Sequence, residues 1–158
     1  MMDKKDLLNS LPQRGSVSWM GLRPKKDVDL VAVDEAVLDP ETGLVGDHYR
    51  GRSKKRQVTL IQAEHLGVVG QLLGREISPG LTRRNVVVAG INLLALKDRQ
   101  FQIGEVILEG TGYCHPCSKM ERNLGEGGYN AMRGHGGLTA KIVKGGTIQL
   151  GDEVSLVK

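Results

Sequence analysis

The sequence predicts a mainly β protein, a barrel of short strands that carries one or two helices. Glycine accounts for 22 of its 158 residues, far above the average share of about 7%. The glycines separate short runs rich in β-branched residues, and these runs do not alternate with long helices as they would in a doubly wound sheet. Only five residues are aromatic, one Trp, three Tyr and one Phe, so the core must be aliphatic.

The first half of the chain opens with a polar lead or helical turn over residues 1–12, and strand-like sequence starts at Ser16. Apolar and acidic residues nearly alternate over 28–38, which predicts a strand that ends in a turn at 39–43. A β-rich run at 57–61 is followed by the best helical segment, which extends to Leu73 although it contains two glycines.

The second half is a series of short strands after a break at the Ser-Pro-Gly of residues 78–80. The predicted strands are 85–88, 101–109, 138–143 and 153–157. Residues 101–106 and 148–154 resemble each other, because each places a glycine-acid turn between apolar flanks. We interpret these two segments as equivalent corners of the barrel.

Length and composition predict a lead segment at residues 1–15 and a single domain at 16–158. No apolar stretch is long enough to span a bilayer, and no secretory signal follows the charged start. Two cysteines do not require a disulfide scaffold, so a reducing, cytoplasmic location is expected. The scarcity of aromatic residues makes nucleic acid an unlikely partner, because base stacking needs aromatic platforms.

The formal net charge is +4, and its distribution is more informative than its size. Basic residues cluster at 50–56 and form pairs at Lys25-Lys26 and Arg83-Arg84. Such runs are commonly solvated loops that flank a strand. The alternative is a surface for a phosphorylated ligand.

Both cysteines lie in the segment Cys114-His115-Pro116-Cys117, which has four possible interpretations. A redox pair would need a strand before it and a long helix after it. A zinc site would need further ligands from the histidines, which have no recognisable spacing. The thiols could also be buried and pack as small apolar groups.

The fourth interpretation makes Cys117 a reactive thiolate, and we favour it. Lys119 and Arg122 follow closely in sequence, and a short helix starting at Ser118 would direct its N-terminal amides toward the sulfur. A thiolate in this setting can bind a metal, carry a persulfide or act as a nucleophile.

Two further features are candidate binding residues. Arg83 and Asn85 enter a strand as a guanidinium-amide pair suited to a phosphate or a polar heterocycle, or simply as a solvated strand start. His135 stands between glycines and could contact a ligand or mark a loop tip. The surrounding glycine-rich segment lacks the Gly-Lys-Ser/Thr ending of a P-loop.

Taken together, the motifs resemble the MOSC domain, which is found at the C-terminus of molybdenum cofactor sulfurases and as free-standing bacterial proteins. The resemblance covers nearly the full chain, and the order and spacing of its blocks make it specific. The matching blocks begin at Gly21, Gly43, Arg56, Arg83, Phe101, Cys114, Met132 and Gly145.

The resemblance implies a MOSC-type β-barrel that binds molybdenum cofactor. The family's signature cysteine corresponds to Cys117, and its Arg-x-Asn element to Arg83 and Asn85. In related amidoxime-reducing enzymes this cysteine ligates molybdenum, and basic residues hold the pterin phosphate. We therefore take Lys25, Arg133 and His135 as further candidates for cofactor binding.

Two functions follow from the resemblance and stay open. The first is a molybdenum enzyme that reduces N-hydroxylated substrates with an electron-transfer partner. The second is a sulfur carrier or cofactor-binding module that works with a pyridoxal-phosphate-dependent cysteine desulfurase. The chain has no counterpart of the N-terminal barrel of longer members, so we expect a less enclosed cofactor pocket.

Overall fold

The computed structural model describes residues 1–49 and 53–158, and most of their strands form one closed barrel. The helices are α1 (Lys4–Asn9), α2 (Ala63–Leu73), α3 (Ser118–Leu124) and α4 (Gly128–Met132). The strands are β1 (Gly15–Leu22), β2 (Val31–Ala32), β3 (Glu35–Asp39), β4 (Gly43–Leu44), β5 (Val58–Gln62), β6 (Val86–Ala89), β7 (Gln100–Ile103), β8 (Val106–Tyr113), β9 (Leu138–Lys144), β10 (Gly146–Gln149) and β11 (Glu153–Leu156).

The barrel has the strand order β11-β7-β8-β9-β5-β6-β1, and β1 closes it by pairing with β11, with Gly15 opposite Val154. All of these pairings are antiparallel except that of β5 with β6. Strand β2 extends the sheet beyond β1, and β10, β3 and β4 form a separate three-stranded sheet. The predicted mainly β barrel with short helices is confirmed, and the described residues form four helices where the sequence indicated one or two.

The barrel interior is aliphatic, as the composition predicts. Alternation places Phe101 and Ile103 of β7 inside, while the glutamines between and before them face solvent. A second apolar cluster lies outside the barrel wall, where the helices pack on β5 and β6. Its buried members include Ile61, Val69, Met120, Leu124 and Met132.

Helix α2 is confirmed, and its position in the fold explains one of its glycines. It connects β5 to β6, the parallel pair, which needs a crossover rather than a tight turn. At Gly70 a Cβ atom would come within 2.6 Å of the Arg75 carbonyl oxygen. The glycine therefore lowers helix propensity but allows the chain beyond the helix to approach its backbone. Among the described residues, no helix has the length and apolar character required to cross a bilayer.

The structure differs from the predicted elements in four respects. Residues 28–38 form parts of two strands, β2 and β3, which belong to different sheets. Residues 101–109 are divided by the hairpin turn between β7 and β8, and β10 was not predicted. The two glycine-acid turns are not equivalent, because the second leads from the small sheet to the barrel. They do meet, since the Gly104 N–H donates to the Glu153 carbonyl at 3.1 Å.

Glu121 ties α3 to α4 through its carboxylate, which accepts hydrogen bonds from the backbone N–H groups of Tyr129 and Gly127, both at 2.9 Å. These two bonds, the Tyr129 bond first, lower the pKa of Glu121 from its ordinary value of 4.5. Because the folded pKa is depressed, the stabilisation is present above the ordinary pKa and is lost as pH falls through the folded one.

We therefore expect Glu121→Gln to destabilise the protein near neutral pH, with a smaller difference from wild type at about pH 3.5. Urea unfolding at both pH values would measure this. Glu126→Gln is the matched control, since Glu126 lies in the same connection and accepts neither of these hydrogen bonds. A deficit for Glu121→Gln that does not depend on pH would contradict the explanation.

Candidate functional site

A cleft lies at the barrel edge where the carboxyl ends of β1 and β8 meet the amino ends of β5 and β6. The antiparallel and parallel pairings of these strands bring distant sequence segments together there. The cavity measures about 380 Å³ and is lined by Arg23, Tyr49, Arg56, Thr59, Arg83, Arg84, Cys117, Lys119 and Met120. We call it the cationic cleft.

Of the described residues that line the cleft, five are cationic and none is acidic. Arg56, Arg83 and Lys119 make no ion pair with any residue that the structure describes. Burial lowers the pKa of Arg23 from its ordinary value. The negative charge of Asp47 opposes this shift, while the positive charges of Arg83 and Arg56 increase it. Arg23 pairs with Asp47 at 3.9 Å, whereas the charges of Arg56, Arg83 and Lys119 are not neutralised within the described part of the chain. The cleft therefore favours an anionic ligand.

The two cysteines have different environments. Cys117 is exposed, lines the cationic cleft and precedes the first residue of α3. Cys114 is buried, as expected for a thiol that packs as an apolar group. Within residues 1–49 and 53–158, no group of three or more His, Cys, Asp and Glu side chains could hold a metal ion. Helix α3 has only seven residues, which does not match the long helix of a thioredoxin-like motif.

Arg84 fixes the backbone of the cysteine segment through hydrogen bonds. Its guanidinium is buried and donates to four carbonyl groups, of Gly136 at 2.7 Å, Thr82 at 3.1 Å, Cys114 at 3.2 Å and His115 at 3.4 Å. Burial lowers the pKa of Arg84 most strongly, and Cys114 opposes the shift. This one side chain links the start of β6, the cysteine segment and the glycine loop of residues 133–137.

The glycine loop and the cysteine segment approach so closely that side chains cannot be accommodated between them. A Cβ atom on Gly136 would lie 2.0 Å from the Cys114 carbonyl oxygen. The Cys114 N–H donates to the Gly137 carbonyl at 2.8 Å. Gly136 and Gly137 are therefore closely packed, Gly136 against Cys114 and Gly137 against Leu60, where a larger residue would overlap with the backbone.

Asn85 lies beneath the cleft in a buried network. Its amide donates to the Gly21 carbonyl at 3.0 Å and to Asp47 at 3.1 Å, while its oxygen accepts from the Thr59 hydroxyl at 3.1 Å. The Asp47 carboxylate also accepts a hydrogen bond from the backbone N–H of Arg23 at 2.8 Å. These contacts position the strand ends that carry Arg23. A direct role for Asn85 in cofactor binding stays a prediction.

Arg83 and Arg23 are the cleft arginines with unusual local structure. Arg83 has φ of 60°, a left-handed conformation that costs a residue other than glycine about 1 kcal/mol or more. The Nε atom of Arg23 is buried and has no hydrogen-bond partner among the described residues. Strain and an unpaired buried donor are both features that cluster where ligands bind.

Of the predicted site residues, the structure brings Cys117 and Arg83 into the cleft and places Asn85 under it. Lys25 is exposed and does not line the cleft. Arg133 is exposed and reaches Asn130 at 3.4 Å. The His135 ring packs edge-on against His65, with 5.2 Å between centroids. Binding roles for these three stay predictions.

Four cleft cations were not predicted as site residues, namely Arg23, Arg56, Arg84 and Lys119. The basic run at 50–56 was a partial indication of the cleft. Arg56 lines the cleft, whereas Lys54 pairs with Glu41 at the surface, at 2.9 Å. Residues 50–52 of that run lie outside the described residues. Arg84 directly follows Arg83, and Lys119 closely follows Cys117, so both had a local signal. Local sequence does not show that these segments converge with Arg23, which depends on strand pairing.

The fold and the cleft together define a β-barrel domain that presents one cysteine among cationic side chains. The MOSC domain model matches residues 46–155, and the chain belongs to this family. The resemblance inferred from the motifs is thereby confirmed. No curated protein matched the sequence.

Several solved structures share the fold. The YuaD protein from Bacillus subtilis has a TM-score of 0.79 at 19% identity, over 91% of this chain and 96% of its own. YiiM from Geobacillus stearothermophilus has a TM-score of 0.76 at 15% identity, over 91% and 75%. YiiM from Escherichia coli has a TM-score of 0.68 at 18% identity, over 90% and 70%. At these identities the likeness is one of fold.

Proposed function

We propose that the cationic cleft binds molybdenum cofactor and that Cys117 is the protein's ligand to the metal. The observation that carries the proposal is the exposed Cys117 thiol in a cleft whose described lining residues include five cations and no acid. The MOSC family is generally associated with this cofactor. The cofactor is an anionic pterin dithiolene that bears a phosphate monoester.

The residues present fit this group. Arginine side chains bind phosphate through paired N–H donors, and the unpartnered buried Nε of Arg23 is available to an acceptor. A thiolate is a suitable ligand for a metal of this kind. The cavity of about 380 Å³ is within the range of ligand pockets.

In this proposal the residues of the chain bind the cofactor and orient the Cys117 sulfur toward its metal. Arg23, Arg56 and Arg83 hold the phosphate, and Arg84 fixes the backbone of the cysteine segment so that the Cys117 sulfur keeps one position. When bound, the cofactor would supply two-electron redox chemistry, which suits the reduction of N-hydroxylated substrates by an electron-transfer partner.

The test is expression in a host that makes the cofactor, followed by metal and pterin analysis of the purified protein. We expect wild type to carry molybdenum near one atom per chain, and Cys117→Ser to retain about a tenth or less. Arg83→Gln should weaken cofactor retention about 10- to 100-fold, because it removes a charged donor.

Arg14→Gln is the matched control, because Arg14 lies at the other end of β1 and pairs with Glu153 at the surface. Wild type without molybdenum despite ample cofactor would overturn the proposal. Equal loss of metal in Cys114→Ala and Cys117→Ala, both shown to be folded, would instead indicate a site that uses both thiols.

A second candidate function is sulfur transfer, which the exposure of Cys117 favours because a partner protein can reach the thiol. The Cys117 thiolate would attack the terminal sulfur of a persulfide on a pyridoxal-phosphate-dependent desulfurase. A sulfur–sulfur bond forms at Cys117, and the desulfurase thiolate leaves. Incubation with desulfurase and cysteine should then give cyanide-labile sulfur on wild type and none on Cys117→Ser. Absence of labile sulfur on wild type would remove this candidate.

A further inference from the structure

A second cavity lies on the other side of the cysteine segment. Its walls are Leu94, Tyr113, Cys114, His115 and Pro116, together with glycines of the glycine loop. It shares no lining residue with the cationic cleft. The segment between the two cysteines therefore separates two cavities, with Cys117 on one side and Cys114 on the other.

The chemistry of the second cavity is opposite to that of the cleft. No Lys, Arg, Asp or Glu is among the described residues that line it, and Leu94, Tyr113 and Pro116 provide aliphatic and aromatic surface. A charged ligand would lose its hydration there without gaining an ion pair. The cavity therefore suits an uncharged ligand.

The volume of the second cavity limits the size of its ligand. It measures about 290 Å³, at the small end of the range for ligand pockets. A methyl group on Gly134 would meet no other atom within 4 Å, so the space beside the glycine loop is open. One ring fits this space better than a fused, cofactor-sized system.

Few polar groups in the second cavity can bind a ligand. The Gly136 and Gly137 carbonyls already accept from Arg84 and from the Cys114 N–H. The Cys114 thiol, which belongs to a residue that is 1% exposed, and the His115 imidazole are the polar side-chain groups beside the tyrosine. The Cys114 thiol and the His115 imidazole can therefore form hydrogen bonds with one polar substituent of a ligand.

Tyr113 provides the aromatic wall of the cavity, and Lys97, which is not among its lining residues, lies near the ring. The Lys97 ammonium lies 5.5 Å from the ring centroid and pairs with Asp98 at 2.9 Å. An aromatic ring such as that of Tyr113 can pack against another aromatic group in an offset or edge-on arrangement. We propose that the second cavity binds a single uncharged aromatic ring with one polar substituent, packed against Tyr113. The proposal does not depend on cofactor binding in the cleft.

The test uses phenol and benzamide as probes of the purified full chain. In amide-resolved NMR titrations, we expect shifts concentrated at Gly134, Gly136 and Cys114. Tyr113→Ala should weaken binding about 2- to 10-fold, the range for one aromatic contact. Tyr129→Ala is the matched control, because Tyr129 is similarly exposed, 41% against 48% for Tyr113, and lies on α4 outside the cavity. It should bind the probes as wild type does.

A second measurement keeps the proposal testable if a variant unfolds. In Cys117→Ser the single remaining thiol is Cys114, and a probe at twice its dissociation constant should slow alkylation of Cys114 about threefold. Shifts scattered over the surface, equal weakening by Tyr113→Ala and Tyr129→Ala, or unchanged alkylation of Cys114 would each overturn the proposal.

Discussion

Gly137→Ala is expected to lower the free energy of unfolding by about 4 kcal/mol, among the largest effects for a single methyl group. A Cβ atom at this position would lie 1.9 Å from the Leu60 carbonyl oxygen, and the backbone has φ of +95°. Leu60 is in the middle of β5 and pairs with Leu138 of β9, so neither strand can move without breaking the barrel. The expected loss in melting temperature is about 10 °C.

The effect should also reach the cationic cleft. The Gly137 carbonyl accepts from the Cys114 N–H, so displacement of Gly137 would release the segment that carries Cys117. We therefore expect cofactor retention to fall in the same variant, measured as metal content of the fraction that remains folded.

Gly134→Ala separates backbone strain from the steric overlap. Gly134 also has positive φ, +82°, but nothing lies within 4 Å of the added methyl group. The strain alone should cost about 1 kcal/mol. Thermal and urea unfolding of the two variants would measure the difference. Equal destabilisation would show that strain, and not the contact with Leu60, makes Gly137 necessary.

The second large effect is expected for Arg84→Met, which should cost about 3 kcal/mol of folding stability. Methionine keeps much of the side-chain volume but donates no hydrogen bonds. Four carbonyl groups, of Thr82, Cys114, His115 and Gly136, would lose their donor. Buried carbonyls without partners carry the full penalty of lost hydration.

Loss of the Arg84 hydrogen bonds should also make the cysteine segment more mobile. The rate of cysteine alkylation can measure this change. Buried Cys114 should react faster in Arg84→Met than in wild type, measured in the Cys117→Ser background. Arg99→Met is the matched control, because Arg99 donates at the surface to the Leu8 carbonyl at 2.8 Å and to Asn9 at 2.7 Å. Its expected cost is below about 1 kcal/mol. A similar cost for both variants would contradict the role given to Arg84.

Local patterns in the sequence determine much of the fold. The β-rich run at 57–61, the helix that follows it and the strands near residues 86, 101, 138 and 153 can be recognised because each signal lies within one short segment. Strand β10 and the division of 28–38 were missed, because they depend on which sheet each residue joins. Pairing across the sequence, rather than local alternation, decides this.

Prediction of the functional site from the sequence is limited in the same way. Sequence motifs singled out Cys117, Arg83 and Asn85 as site residues. The structure places Cys117 and Arg83 in the cleft and the Asn85 amide in a buried network under it, and their binding roles stay predictions. Arg23, Arg56, Arg84 and Lys119 lie on separate segments, and strand pairing brings them together. No spacing rule within a single segment would have grouped them.

By itself, the sequence determined a glycine-rich β-barrel of the MOSC family and Cys117 as the cysteine to test, because these depend on residue type and order. The tertiary structure decided the rest. It buried Cys114, exposed Cys117, gathered the cations into one cleft and packed Gly136 and Gly137 tightly against neighbouring backbone. These properties arise from contacts between residues distant in sequence, where small differences in backbone separation decide which side chains fit.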